Sequence, residues 1–172
     1  KAGGPEYLAR FTKADAPQAG TPDRSVTETE VQAALAQAKP AAQALHTRDL
    51  PGPTGESNRL SAYQREPVLC LGPGAATALA QAEAVRRLGG LAIEAPGLAP
   101  AALTRLNGFA GAMLWGGEAR PFAQALAARR GPILPLIGGL PDAAHVALER
   151  HVCIDTTASG GNAQLLAEVS QG

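Results

Sequence analysis

From Val68 onward the chain repeats one pattern: a short apolar run, a turn bearing glycine or proline, then a stretch with helical character. The apolar runs are Val68–Leu71, Leu91–Glu94, Ala110–Trp115, Ile133–Ile137 and Val152–Asp155. Helices are expected over Ala75–Leu88, Pro100–Leu106, Arg120–Arg130 and Asp142–Leu148. Gly72-Pro73-Gly74, Pro96-Gly97, Gly116-Gly117 and Gly138-Gly139 break the strands from the helices, and Gly89-Gly90 closes the first helix, as glycine in the left-handed conformation does. The runs are continuously apolar rather than alternating, which suits strands covered on both faces. Strands that alternate with helices imply parallel βαβ crossovers and a doubly wound sheet.

Upstream of Val68 the pattern differs. Residues 1–24 mix Gly, Pro and Asp and read as a tail and linker. Ser25-Val26-Thr27-Glu28 has the spacing of a capping box, so a helix is expected through Val31, Ala34, Leu35 and Ala38, ending or bending at Pro40. Arg48–Ser57 holds Pro51-Gly52-Pro53 and Gly55 and reads as loop. From Asn58, residues Leu60, Ala62 and Gln64 alternate with Arg59, Ser61 and Tyr63, as in a strand. Arg65-Glu66-Pro67 reads as a turn. Together these predict a hairpin flap, Asn58–Glu66, feeding the buried strand Val68–Leu71. The expected architecture is an α/β Rossmann-like, doubly wound parallel sheet with a β-hairpin flap. Its divisions are 1–24, linker; 25–149, domain; and 150–172, C-terminal tail.

Composition narrows the function classes. With 172 residues, the chain is long enough for one domain with its own core. Hydrophobic residues make up 45% and aromatics only 3%, so the core is expected to use Ala, Leu and Val at close quarters. Fifteen Lys and Arg balance fifteen Asp and Glu, which argues against nucleic-acid or membrane-surface binding through this segment. No apolar run approaches the roughly 20 residues of a membrane-spanning helix. Two distant cysteines suit a reducing cytoplasm. The opening Lys1-Ala2-Gly3-Gly4-Pro5 lacks an initiator Met and is expected to follow a longer polypeptide.

Four features could carry chemistry. The turn Gly72-Pro73-Gly74 lies between a strand and a helix, where backbone N–H groups can hold a phosphate. It has two of the three glycines of a dinucleotide fingerprint, and Pro73 removes a donor. Glu94 lies where a ribose-binding acid would. An ordinary strand-to-helix turn explains the same residues. Cys153 shares a strand face with His151 and Asp155, but nothing specifies an oxyanion donor, and Cys70 reads as a buried small hydrophobe. His46, His145 and His151 lack ligand spacing, so no metal is expected. The tail Asp155-Thr156-Thr157-Ala158-Ser159-Gly160-Gly161-Asn162 is either a frayed terminus or a docking segment anchored by Gln164-Leu165-Leu166.

Both ends of the chain and part of its middle carry a resemblance. Lys1-Ala2-Gly3-Gly4-Pro5-Glu6-Tyr7-Leu8-Ala9-Arg10-Phe11 resembles the end of the glutamate-semialdehyde dehydrogenase module in the proline utilization A family. The run Asp155-Thr156-Thr157-Ala158-Ser159-Gly160-Gly161-Asn162-Ala163 resembles that family's C-terminal motif, departing from it at Ser159 and at Gln164-Leu165-Leu166. Gly55–Leu60 and Arg65–Leu71 are similar to the hairpin and first strand of the aldehyde dehydrogenase-like C-terminal domain found in its longer members.

The resemblance implies a bifunctional flavoenzyme. One module oxidises proline with FAD and passes electrons to quinone, and the other oxidises glutamate semialdehyde with NAD. Both catalytic centres would lie upstream of Lys1, so this segment is expected to hold no catalytic residue and no cofactor. Where active relatives contact the ribose with Lys-Pro-x-x-Glu, this chain has Ile93-Glu94-Ala95-Pro96-Gly97. The expected partner is the upstream dehydrogenase module of the same chain, which Asp155, Thr156, Thr157, Ala158, Ser159, Gly160, Gly161 and Asn162 would cover as a lid. A homo-oligomer through the flap, and peripheral membrane and quinone contact through the flavin module, are further expectations. The alternatives kept open are a nucleotide- or anion-binding module at Gly72–Gly74 and a dimerisation domain.

Overall fold

The computed structural model describes residues 21–155. Residues 21–40 together with 65–146 form one compact unit, and residues 41–64 together with 147–155 form a second. The motif Lys1–Phe11 and the tail residues Thr156–Asn162 lie outside the described residues.

In the first unit, helix α1 spans Glu28–Gln37. Its capping box is Thr27 and Glu30, two residues beyond the expected Ser25 and Glu28. The Glu30 amide donates to Thr27 Oγ1 at 3.3 Å, and the Thr27 amide donates to Glu30 Oε2 at 2.7 Å. Ser25 is engaged elsewhere: its hydroxyl donates to the Gly97 carbonyl, and the Val26 amide donates to the Pro96 carbonyl, so these residues stay extended. Two overlapping sequence spacings satisfied the capping pattern, and a long-range contact selected the second.

In the second unit, strands β1 (His46–Leu50) and β2 (Glu56–Gln64) form the hairpin. This corrects two expectations. Arg48–Leu50 is strand rather than loop, and the hairpin partner of β2 is β1. Four of the five β1 residues are exposed, so no apolar alternation marks the strand; pairing with β2 supplies it.

Strand β3 (Val68–Cys70) opens the parallel sheet, and α2 (Ala75–Arg87), β4 (Ala92–Glu94), a 3₁₀ helix (Pro100–Thr104), β5 (Gly111–Met113), α3 (Ala119–Ala127), β6 (Leu136–Ile137) and α4 (Ala143–Val146) follow. The strand order is β4-β3-β5-β6, all parallel. This is the α/β, Rossmann-like arrangement. Successive strand residues point to opposite faces. Leu69, Leu71, Ala112 and Leu114 join Val31, Leu35, Leu103 and Leu126 in one cluster, while Val68, Met113 and Trp115 join Val85 and Val146 in another. On α2, Ala78 and Ala82 are fully buried with Cys70; their small side chains let the helix lie close to the sheet.

The final strand is β7 (Ala147–Asp155), and it was expected to be the fifth strand of the parallel sheet. It instead pairs antiparallel with β2 along nine residues, from Gln64↔Ala147 to Glu56↔Asp155, giving the sheet β1-β2-β7. Most of its residues are exposed, which a strand buried between helix layers would not be.

Candidate functional site

In an open parallel sheet, ligands bind beyond the carboxyl ends of the strands, where the strand order reverses. Here the chain moves from β3 outward to β4 and then back to β5 on the other side, so the reversal lies beside β3. A largely apolar cavity of about 390 Å³ opens there. It is lined by Leu71, Pro73 and Gly74 after β3, Leu98 and Pro100 after β4, and Phe122 of α3.

The turn after β3 is tightly specified. Gln81 of α2 is fully buried, and its side chain both accepts from the Gly72 amide at 3.0 Å and donates to the Gly72 carbonyl at 2.9 Å. The same carbonyl accepts from the Trp115 amide at 3.1 Å. The α2 N-cap, Gly74, has no side chain to satisfy the first-turn donors. The Ala75 amide instead donates to Asp23 Oδ1 at 2.7 Å. A carboxylate is thus placed against the partially positive end of α2, where a phosphate would sit in a dinucleotide site. Pro22 also lines the cavity, so the segment before α1 forms part of its wall.

The other expected ligand contact is engaged as well. Glu94 ends β4, as expected, and accepts from Arg86 Nη2 at 3.3 Å. The turn Gly72–Gly74 and Glu94 do meet at one sheet end. Sequence reasoning missed Asp23, Ser25 and Gln81, whose roles depend on contacts spanning up to 72 positions. No local pattern marks such contacts.

The antiparallel sheet carries the cysteine candidate. Cys153 Sγ donates to Glu56 Oε1 at 3.3 Å, so the thiol's hydrogen bond goes to a carboxylate and not to His151. That hydrogen bond is the main cause that raises the Cys153 thiol pKa, with smaller contributions from burial and the nearby Asp155 charge. A raised pKa lowers the thiolate fraction, the opposite of nucleophile activation. Asp155 is placed opposite Glu56 at the end of β7. Cys70 is buried in β3, and desolvation pushes its thiol up to about 12. His145 closes a local turn with Asp142, its Nδ1 accepting from the Asp142 amide at 3.1 Å. Among the described residues no three His, Cys, Asp or Glu side chains converge as a metal site, and no helix is long and apolar enough to cross a membrane.

No protein-family model matches the chain. The bifunctional protein PutA of Salmonella typhimurium is 33% identical over an alignment of 151 positions, covering 73% of this chain and 11% of that protein. PutA of Escherichia coli is 31% identical over 163 positions, covering 80% of this chain and 12% of that protein. The chain therefore spans only about a ninth of the length of the curated relatives it matches, and within that span it is a relative of the bifunctional PutA proteins.

Proposed function

We propose that this chain is a non-catalytic C-terminal support for a bifunctional proline-oxidising enzyme. In this reading residues 1–24 end the semialdehyde dehydrogenase module and link it to the rest, residues 25–149 form the aldehyde dehydrogenase-like domain, and residues 150–172, which begin within β7, lead back to the dehydrogenase. The parent enzyme converts proline to glutamate through an FAD-dependent and an NAD-dependent oxidation, in the cytoplasm or at the inner face of the membrane. Asp155, Thr156, Thr157, Ala158, Ser159, Gly160, Gly161 and Asn162 act as the docking motif that covers the passage for the semialdehyde.

The observation that carries the reading is the Asp23 carboxylate on the Ala75 amide. A domain whose phosphate position is filled by its own side chain is better suited to support than to cofactor binding. The similarity to PutA favours a proline-oxidising enzyme as the one supported. Removing residues 156–172 from the full-length enzyme spares all of β7, so the domain is expected to fold. Coupled proline-to-glutamate flux should fall while proline oxidation alone is unchanged. Unaltered coupled flux would overturn the lid.

A second reading has its own support. β1 and β7 are the edges of the antiparallel sheet, and Leu148 and Val152 on β7 are 44% and 54% exposed. Such edges pair readily with another chain. Solution scattering of the enzyme with and without residues 41–64 separates dimerisation from support: a molecular mass unchanged by the deletion removes the dimer reading.

A further inference from the structure

Glycines at the reversal point of a dinucleotide fold permit a tight turn and leave space for the ligand's pyrophosphate. In this chain that space is used from within. We propose that Thr21–Val26 is a built-in occupant of the crevice: a strap, latched by Asp23 on the Ala75 amide and passing over Gly74 and Gly97, that fastens the preceding chain to this domain and closes the crevice to external anions.

The fastening has three parts along six residues. Asp23 holds the N-terminus of α2. A Cβ on Gly74 would overlap the carbonyl oxygen of Thr21, and one on Gly97 would lie 2.5 Å from the Arg24 carbonyl oxygen and 2.9 Å from Ser25 Cα. Ser25 Oγ and the Val26 amide then donate to the Gly97 and Pro96 carbonyls, each at 3.0 Å. The two glycines therefore admit a backbone where a fingerprint glycine would admit phosphate. Residues 21–25 are exposed and bury little apolar surface, so polar contacts and close backbone approach hold the strap. A segment held in this way opens locally without unfolding the core. The strap explains why a turn resembling a nucleotide motif has an Asp facing it from a distant part of the chain. It does not depend on where the residues after Asp155 dock, so it stands or fails separately from the lid.

Tryptic cleavage after Arg24 and hydrogen exchange at the Ala75 amide, both in the full-length protein, test the strap. Asp23→Ala should speed both by roughly tenfold or more, the usual effect of a charge-assisted hydrogen bond on a local opening equilibrium. Gly97→Ala should also release the strap. Gly89→Ala is the control: Gly89 has a similar backbone angle, φ 79° against 68° at Gly97, but no atom within 4 Å of its would-be Cβ. It carries the backbone strain without touching the strap, so cleavage after Arg24 should stay at the wild-type rate. Wild-type cleavage and exchange in Asp23→Ala would overturn the latch. Protection of the Ala75 amide in the wild-type protein by millimolar inorganic phosphate or NAD would overturn the closure.

Discussion

Gln81 and Gly72 exchange two hydrogen bonds inside the core, the side-chain amide of one matching both backbone groups of the other at 3.0 and 2.9 Å. Gln81 is 0% exposed, yet it lies among alanines on the buried face of α2. Replacing it with Leu keeps most of the volume but strands the Gly72 amide; the carbonyl retains the Trp115 amide. A buried donor left unpaired costs about 1–3 kcal/mol. Gln81→Leu should lower stability by about that amount. The chain's single tryptophan, Trp115, reports it. That side chain is 2% exposed and donates to the Gly139 carbonyl, so its fluorescence changes on unfolding. A denaturation midpoint equal to wild type would show that the pair does not stabilise the turn.

The two thiols should differ in reactivity and in pH response. Iodoacetamide should modify exposed Cys153 in the native protein and leave buried Cys70 untouched. Glu56 is the main cause of the raised Cys153 pKa, so Glu56→Gln should speed alkylation of Cys153 several-fold near pH 8 by removing the adjacent charge. Cys70 has a separate consequence. Its thiol rises from 9.0 to about 12 on folding, so the unfolded chain loses this proton first as pH increases. The stability tied to the protonated thiol is whole below pH 9.0 and is lost as pH rises toward 12. Cys70→Ala should flatten the alkaline fall in stability, as measured by denaturation across that window.

The capping box of α1 gives the acid-side counterpart. Glu30 is held below its ordinary 4.5, first by the Thr27 amide and then by the Thr27 hydroxyl. A carboxylate with a lowered folded pKa contributes fully above 4.5, and its contribution is lost as pH falls through the folded value. Thr27→Ala should destabilise the protein by about 1 kcal/mol at neutral pH, the usual effect of losing an N-cap side chain. The gap between the variant and wild type should narrow below pH 4.5. A gap that is constant with pH would mean that the Thr27 hydroxyl does not help hold the Glu30 carboxylate.

The parallel sheet was legible because its strands are continuously apolar and its turns carry glycine and proline; Val68–Cys70 and Ala75–Arg87 fall within a residue or two of expectation. The second sheet was legible only in part. β2 alternates, but β1 is exposed at His46, Thr47, Arg48 and Asp49, and β7 at seven of its nine residues, so pairing rather than burial makes β1 and β7 strands. Val152–Asp155 carries an apolar signature that points to the parallel sheet, yet its partners are Glu56–Arg59. At the crevice, the turn Gly72–Gly74 and Glu94 could be read from local spacing. The residues that latch the strap and hold the turn could not, because Asp23 reaches Ala75 across 52 positions and Gln81 has the helical spacing of an ordinary core residue.

Gly90 offers a test of packing free of backbone strain. It follows Gly89, whose φ of 79° supplies the left-handed turn after α2, whereas Gly90 itself does not have a positive φ. What Gly90 lacks is space: a Cβ there would lie 2.5 Å from Val146 Cγ1, 2.8 Å from Val146 Cβ and 2.9 Å from Val85 Cγ1. Both valines belong to the cluster with Val68, Met113 and Trp115. Overpacking a filled core costs about 1–3 kcal/mol, so Gly90→Ala should destabilise by that amount. Val146→Ala alone should cost about 1–2 kcal/mol for its two lost methylene equivalents. Combined, the substitutions should cost less than their sum by at least about 0.5 kcal/mol, since the smaller side chain at 146 makes room for the new methyl group. Chemical denaturation of the two single variants and the double variant completes the cycle. Strict additivity would show that the methyl is accommodated by a backbone shift instead of by pressing on Val146.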